Sequence, residues 1–222
     1  MLQQISKKIF IYLFIYLMLV TITNEKISYD FYKVRKFNIT GLDELDTNLL
    51  KQNIEIFKNM SIFSINKKDI SKIIYSDKTI NDFEIIKMYP STLQIKIKKT
   101  NFLAITKKNG RNYYVLENGN LIKTQNQDLK LPYIFGDVDI NNFLDLKKMI
   151  DSSVLGFNEI ENFYYFKSTR WDILTKSGLI IKMPINLTVK KINFIFEIIQ
   201  KQNFDDVKIL DFRQENMMIT ND

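Results

Sequence analysis

The sequence predicts an α+β fold with three parts: an apolar N-terminal helix, a β-α-α-β-β unit, and a β-rich domain of mostly antiparallel strands with flanking helices. Three observations predict it. Residues 9–23, "IFIYLFIYLMLVTIT", are uncharged throughout. Two segments with helical spacing, 46–59 and 66–77, lie between strand-like runs. From residue 112 onward, short strand-like runs alternate with glycine turns and two longer helical segments.

The apolar run comes first. At ~1.5 Å per residue it spans about 22 Å, short of the ~30 Å hydrocarbon core of a bilayer. Ile5, the stems of Lys7, Lys8 and Lys26, and Tyr29 extend it into the interfaces. The exit, "LVTITNEKISYD", has no small-residue cleavage pattern. The reading is therefore an uncleaved transmembrane signal anchor at 9–23, built on Ile9, Phe10, Leu13, Leu17 and Val20. Lys7 and Lys8 place a short tail, 1–8, in the cytoplasm by the positive-inside rule, and the body outside it.

The second part runs over 32–100. "YKVRKFNITGL" reads as a strand with Val34, Phe37 and Ile39 as its apolar positions. Leu50, Ile54 and Phe57 follow at helical spacing, with Asp46 as the expected N-cap. Asn66 caps the next helix, with Asp69 at the third position and Ile70, Ile73 and Ile74 on one face. Ile80, Phe83 and Ile85 open a hairpin whose second strand alternates Leu93, Ile95 and Ile97 against Gln94, Lys96 and Lys98. Pro90 and Ser91 supply its turn.

The third part, 101–222, reads as a hairpin at Asn118-Gly119 and a helix through Phe143, Leu146 and Ile150. "ENFYYFKS", "RWDILTKSGLIIKMP" and "DVKILDFRQENMMI" give strands, and Val189, Ile192, Phe196 and Ile199 mark an amphipathic helix.

Composition narrows the chemistry. The 222 residues are 45% hydrophobic, enough for one or two small cores. The net charge of +7 is spread along the chain with no block of like charges, so no nucleic-acid arm is expected. With no His and no Cys, the usual zinc and iron–sulfur ligands, His acid–base catalysis and Cys nucleophiles are absent. No cofactor, metal or small-molecule substrate is expected.

Ser91 with Lys96 or Lys98 invites a Ser–Lys peptidase reading. Ser91 follows a turn proline, however, and no apolar segment presents a lone lysine to be desolvated, so a turn role is the stronger reading. Asp43, Glu44 and Asp46, the pair Asp137 and Asp139, and the pair Asp205 and Asp206 lie at element boundaries, where capping is expected. Trp171 with Phe163, Tyr165 and Phe166 reads as core. Asp211 and Arg213 share a strand face, as a structural ion pair or as a partner-facing pair.

Several stretches resemble the bacterial FtsQ/DivIB cell-division family. Ile80, Phe83, Ile85, Lys87, Pro90 and Leu93 follow its hairpin pattern; Leu131, Pro132 and Gly136 match its Leu-Pro…Gly step. Arg170, Trp171, Gly178 and Pro184 resemble its R-W…G…P hairpin, and Asp211 and Arg213 its D-x-R strand entry. The resemblance implies a POTRA domain (β-α-α-β-β) over 32–100, a β-domain over 101–222, and a single-pass inner-membrane protein with a periplasmic body at the division septum. It implies a divisome scaffold, not an enzyme. The implied partners are FtsB and FtsL, with FtsW, FtsI and FtsK as further divisome components. The contact would be the exposed edge of the last strand, through Gln214, Glu215, Met217, Met218 and Ile219. The runner-up reading is a POTRA-containing chaperone or secretion factor.

Overall fold

The computed structural model describes residues 2–23, 32–124, 129–201, 204, 207–214 and 217–221. The chain divides into two units, Met1–Ser76 with Asp82–Lys98, and Asp77–Asn81 with Lys99–Asp222.

The first unit begins with helix α1 (Leu2–Thr23), whose described side chains, 7–21, are all exposed. Among the described residues no helix is long and apolar enough to cross a membrane. Strand β1 (Lys36–Thr40), helices α2 (Glu44–Ile54) and α3 (Lys67–Ile74), and strands β2 (Ile80–Met88) and β3 (Thr92–Lys99) follow in the expected order. The strands line up as β1-β3-β2, with β1 parallel to β3 and Ile39 opposite Ile95. Leu93, Ile95 and Ile97 are buried while Lys96 and Lys98 are exposed, as the alternation requires.

Asn66 caps α3 by accepting the Asp69 amide hydrogen at 3.0 Å. The cap of α2 is a correction: Asp43, not Asp46, closes the helix, its carboxylate accepting from the Asp46 backbone N–H at 2.9 Å. Asp46 sits in the first turn, where its charge still favours the positive helix end. Gly41 turns the chain from β1 into α2 at φ +93°, where a Cβ would lie 1.9 Å from the Ile97 carbonyl oxygen. Only glycine fits there.

Among the described residues the second unit is built around a nine-stranded sheet. Its members are β4 (Phe102–Lys108), β5 (Arg111–Leu116), β6 (Leu121–Lys123), β7 (Tyr133–Phe135), β8 (Ile160–Tyr165), β9 (Trp171–Thr175), β10 (Ile180–Lys182), β11 (Ile209–Asp211) and β12 (Ile219–Asn221). Their spatial order is β12-β11-β10-β9-β8-β7-β4-β5-β6. Most neighbours run antiparallel, but β4–β7, β7–β8 and β10–β11 are parallel. Helix α4 (Ile140–Asp151) makes the β7-to-β8 crossover and α5 (Val189–Lys201) the β10-to-β11 crossover, since parallel neighbours need a long return.

Ile134, Phe163, Ile173, Ile181 and Leu210 stand opposite one another across five strands and are all buried. They share one core with Phe143, Leu146 and Ile150 of α4 and Ile192, Ile195 and Phe196 of α5. Trp171 joins that core, 6.3 Å from the Phe143 ring and 6.2 Å from Phe163. Phe166 does not; it is exposed, with the Arg170 guanidinium 4.2 Å above its ring. Val189 and Ile199 are only half-buried, while Ile195, which the sequence reading omitted, is fully in the core.

Candidate functional site

The end of the large sheet is built by β10, β11 and β12. In β10 the run Ile180–Lys182 is short because Pro184, two residues beyond it, supplies no amide hydrogen. The chain returns through α5, places β11 parallel to β10, then turns back as β12 antiparallel to β11. The far side of β12 carries no other strand among the described residues. Its N–H and C=O groups on that side are therefore open for pairing.

Register sorts the side chains here. Asp172, Lys182, Asp211 and Ile219 stand opposite one another across β9 to β12. They lie on the face away from Ile173, Ile181 and Leu210, whose row ends at Thr220. A charged row thus runs beneath the open edge and ends on an isoleucine that is 47% exposed.

The two carboxylates of this row differ. Asp172 is only 4% exposed and receives hydrogen bonds from Arg170 Nε at 3.1 Å and Nη2 at 3.3 Å. Burial pushes its carboxyl up from the ordinary 3.8, against the opposing pull of Arg170. Asp211 accepts from Arg213 Nε at 2.8 Å and Nη2 at 2.5 Å and from the Arg213 backbone N–H at 3.0 Å. Those bonds to Arg213 hold it below 3.8, and burial opposes them only in part. Asp211 and Arg213 form a structural ion pair within one chain. The pattern R-W-D carries the same two-residue spacing as D-F-R, and that spacing was the available signal for Asp172.

An apolar groove of about 460 Å³ is lined by Phe194 and Ile198 of α5 and by Phe212, Met217 and Met218, with Lys191 and Gln214 at the polar positions. Of the predicted contact residues, Gln214, Met217 and Met218 line it. Met217 is 56% exposed, Met218 is half-buried against the core, and Gln214 is exposed. Among the four of these predicted residues that are described, Ile219 alone is in a strand. Glu215 lies outside the described residues. The expected single strand "DVKILDFRQENMMI" is corrected to two short strands, Ile209–Asp211 and Ile219–Asn221, because the chain must reverse between Asp211 and Ile219 to pair antiparallel.

Other candidates take local roles. The Ser91 carbonyl accepts the Arg35 amide hydrogen at 2.9 Å and that of Lys36 at 3.3 Å, tying the hairpin turn to the start of β1. Lys96 lies 3.7 Å from Glu84. Asp139 caps α4 through the Asn141 amide at 2.7 Å, and Asp137 is exposed; Asp205 and Asp206 lie outside the described residues. Among the described residues no three His, Cys, Asp or Glu side chains gather as a metal site.

Two family descriptions match this chain in succession: "POTRA domain, FtsQ-type" over residues 32–99, and "Cell division protein FtsQ/DivIB, C-terminal" over 104–213. The chain belongs to the FtsQ/DivIB family. It is 28% identical over 99 residues to cell division protein DivIB of Staphylococcus aureus (strain MRSA252), a match covering 45% of this chain and 22% of that protein. It is 24% identical over 171 residues to DivIB of Macrococcus caseolyticus, covering 72% of this chain and 56% of that protein. The matched stretch is thus about a fifth to a half of these relatives' length. Among solved structures, the major extracytoplasmic domain of DivIB from Geobacillus stearothermophilus aligns with 98% of its length and 48% of this chain, at 13% identity and a TM-score of 0.34. The family is a cell-division family, and the β-α-α-β-β unit is its POTRA domain.

Proposed function

We propose that the protein is a membrane-anchored divisome scaffold whose last strand is the template for a partner's backbone. α1 is the single-pass anchor, with the tail 1–8 in the cytoplasm and the body outside it at the division septum. Support for the anchor is the uncharged run 9–23 and the exposure of its side chains on every side, from Ile9 to Val20. The β12 edge pairs with a strand of FtsB, in complex with FtsL, and the groove beside it takes an apolar side chain from the incoming chain. The single observation that carries this reading is the open edge of β12 next to an apolar groove.

Backbone pairing supplies geometry without regard to side chains, and the pliant Met217 and Met218 supply fit. The scaffold role needs no catalytic residue. It links early septal-ring components with septal peptidoglycan synthesis by holding them at one place in the membrane.

The test is recovery of FtsB from membranes carrying the full chain or a truncation after Arg213. Recovery falls at least tenfold in the truncation if β12 is the template, with the shortened chain still folded by circular dichroism. Equal recovery from both overturns the edge assignment.

A further inference from the structure

The end of the POTRA domain where the chain arrives from α1 carries a second surface. Three segments meet there. Residue Lys33 bridges Ser61, the Ile62 amide donates to the Tyr32 carbonyl at 2.9 Å, and the Arg35 amide donates to the Ser91 carbonyl at 2.9 Å. The backbone thus gathers 32–36, 58–63 and 87–91 at one end of the sheet.

Their side chains are unusual for a solvent-facing loop cluster. Phe63, 60% exposed, sits between the rings of Tyr32 and Tyr89, 5.3 Å from each. Met60 and Met88 are also exposed. The same three segments contain Lys33, Arg35, Lys36, Lys58 and Lys87 and no Asp or Glu, Lys58 being paired with Glu55 at 3.2 Å. Lys87 Nζ donates to the Phe63 carbonyl at 3.3 Å, so a cation stands beside the aromatic trio. Exposed tyrosines and a phenylalanine with a cation beside them are the side chains that settle at a bilayer's headgroup level.

Chain length specifies the occupant. Only residues 24–31 separate the end of α1 from Tyr32, a reach of ~28 Å at ~3.5 Å per residue. If α1 is the anchor proposed above, on which this step rests, the patch is leashed to the membrane surface within that distance. We infer that the Tyr32–Phe63–Tyr89 patch seats the POTRA domain on anionic phospholipid headgroups. The aromatic rings enter the interface, and Lys33, Arg35 and Lys87 meet the lipid phosphates. The seat limits the domain's rotation on its leash and so fixes which surfaces face neighbouring proteins.

The chain has no cysteine, so one introduced thiol reports one place. The full chain is reconstituted in vesicles of phosphatidylglycerol and phosphatidylcholine, with and without bromine on the acyl chains. An environment-sensitive fluorophore is attached at M60C in the patch, at F10C in α1, or at L45C, which lies beyond β1 at the far end of the sheet. Bromolipid should quench the M60C and F10C probes several-fold more than the L45C probe. F63S with Y89S, or K33Q with R35Q and K87Q, should return the M60C signal to the L45C level while leaving F10C quenched. Quenching at F10C with none at M60C overturns the patch and spares the anchor. Quenching at M60C with none at F10C overturns the anchor and leaves the patch as a peripheral site. No quenching at either overturns both.

Discussion

Two open strand edges, β12 at the end of the large sheet and β2 in the POTRA domain, offer opposite terms to an incoming chain. β2 is nine residues long and studded with charge: Asp82 lies 3.9 Å from Lys67, and Glu84 lies 3.7 Å from Lys96. β12 is three residues, Ile219–Asn221, with no charge among them and an apolar groove beside the connection that leads to it. Length alone would favour β2. Charged side chains along an edge discourage pairing, because a partner strand must desolvate them or meet them with the opposite charge. The comparison teaches that an edge is made available by its neighbourhood more than by its number of unpaired amides.

The largest effect is expected where that neighbourhood is spoiled. Ile219→Asp places a carboxylate opposite Asp211 on the same face and should lower FtsB recovery more than tenfold, with the melting transition of the body unchanged. Met218→Lys puts a charge into the groove and should act in the same direction. Removing charge from the other edge sharpens the contrast. D82V with E84V should turn β2 into a self-pairing edge, read as concentration-dependent association by sedimentation.

The sheet that supports β12 gives the next effect. Arg170→Met leaves Asp172 buried without its cation and should cost about 2–3 kcal/mol in denaturant unfolding. A glycine comparison is of similar size. Gly136→Ala meets the Tyr165 carbonyl oxygen at 2.2 Å with φ +103° and should cost about 3 kcal/mol. Gly178→Ala, at φ +88° but in open space, should cost only ~1 kcal/mol.

Much of this fold was legible in the sequence. The Asn66 cap, the Leu93–Ile95–Ile97 alternation and the helix through Phe143, Leu146 and Ile150 each follow from a local rule. β4 was not, although it lies inside the sheet: a register shift between Phe102 and Ala104 breaks its alternation and buries Leu103 and Ala104 in succession. β7 was not legible as a strand beyond the flanking Leu131, Pro132 and Gly136, since three residues carry no period, and its parallel pairing depends on the distant β4 and β8. The edge strand was legible in place but not in extent. Its groove was not legible at all, because Phe194 and Met217 are brought together only by tertiary packing.

Acid titration separates the two ion pairs. Asp211, held below 3.8, contributes stability that is complete above its unfolded value and is lost as pH falls through its folded value. Asp172, raised above 3.8, contributes in the reverse sense, fully below 3.8 and less as pH rises through its folded value. Arg213→Gln should therefore remove Asp211's share of the acid loss of stability. Asp172→Asn should remove the loss on the rising side, read from unfolding midpoints across the acid range. The smallest effect belongs to the exposed pair between β2 and β3. Lys96→Gln should change stability by no more than ~0.5 kcal/mol and leave partner recovery unaltered.

Hydrogen exchange of the full chain, alone and with the FtsB–FtsL pair, tests the edge most directly. The amides of Ile219–Asn221 should slow on binding while those of Ile80–Met88 keep their free rates. Slowing along β2 with no change at β12 would contradict the account.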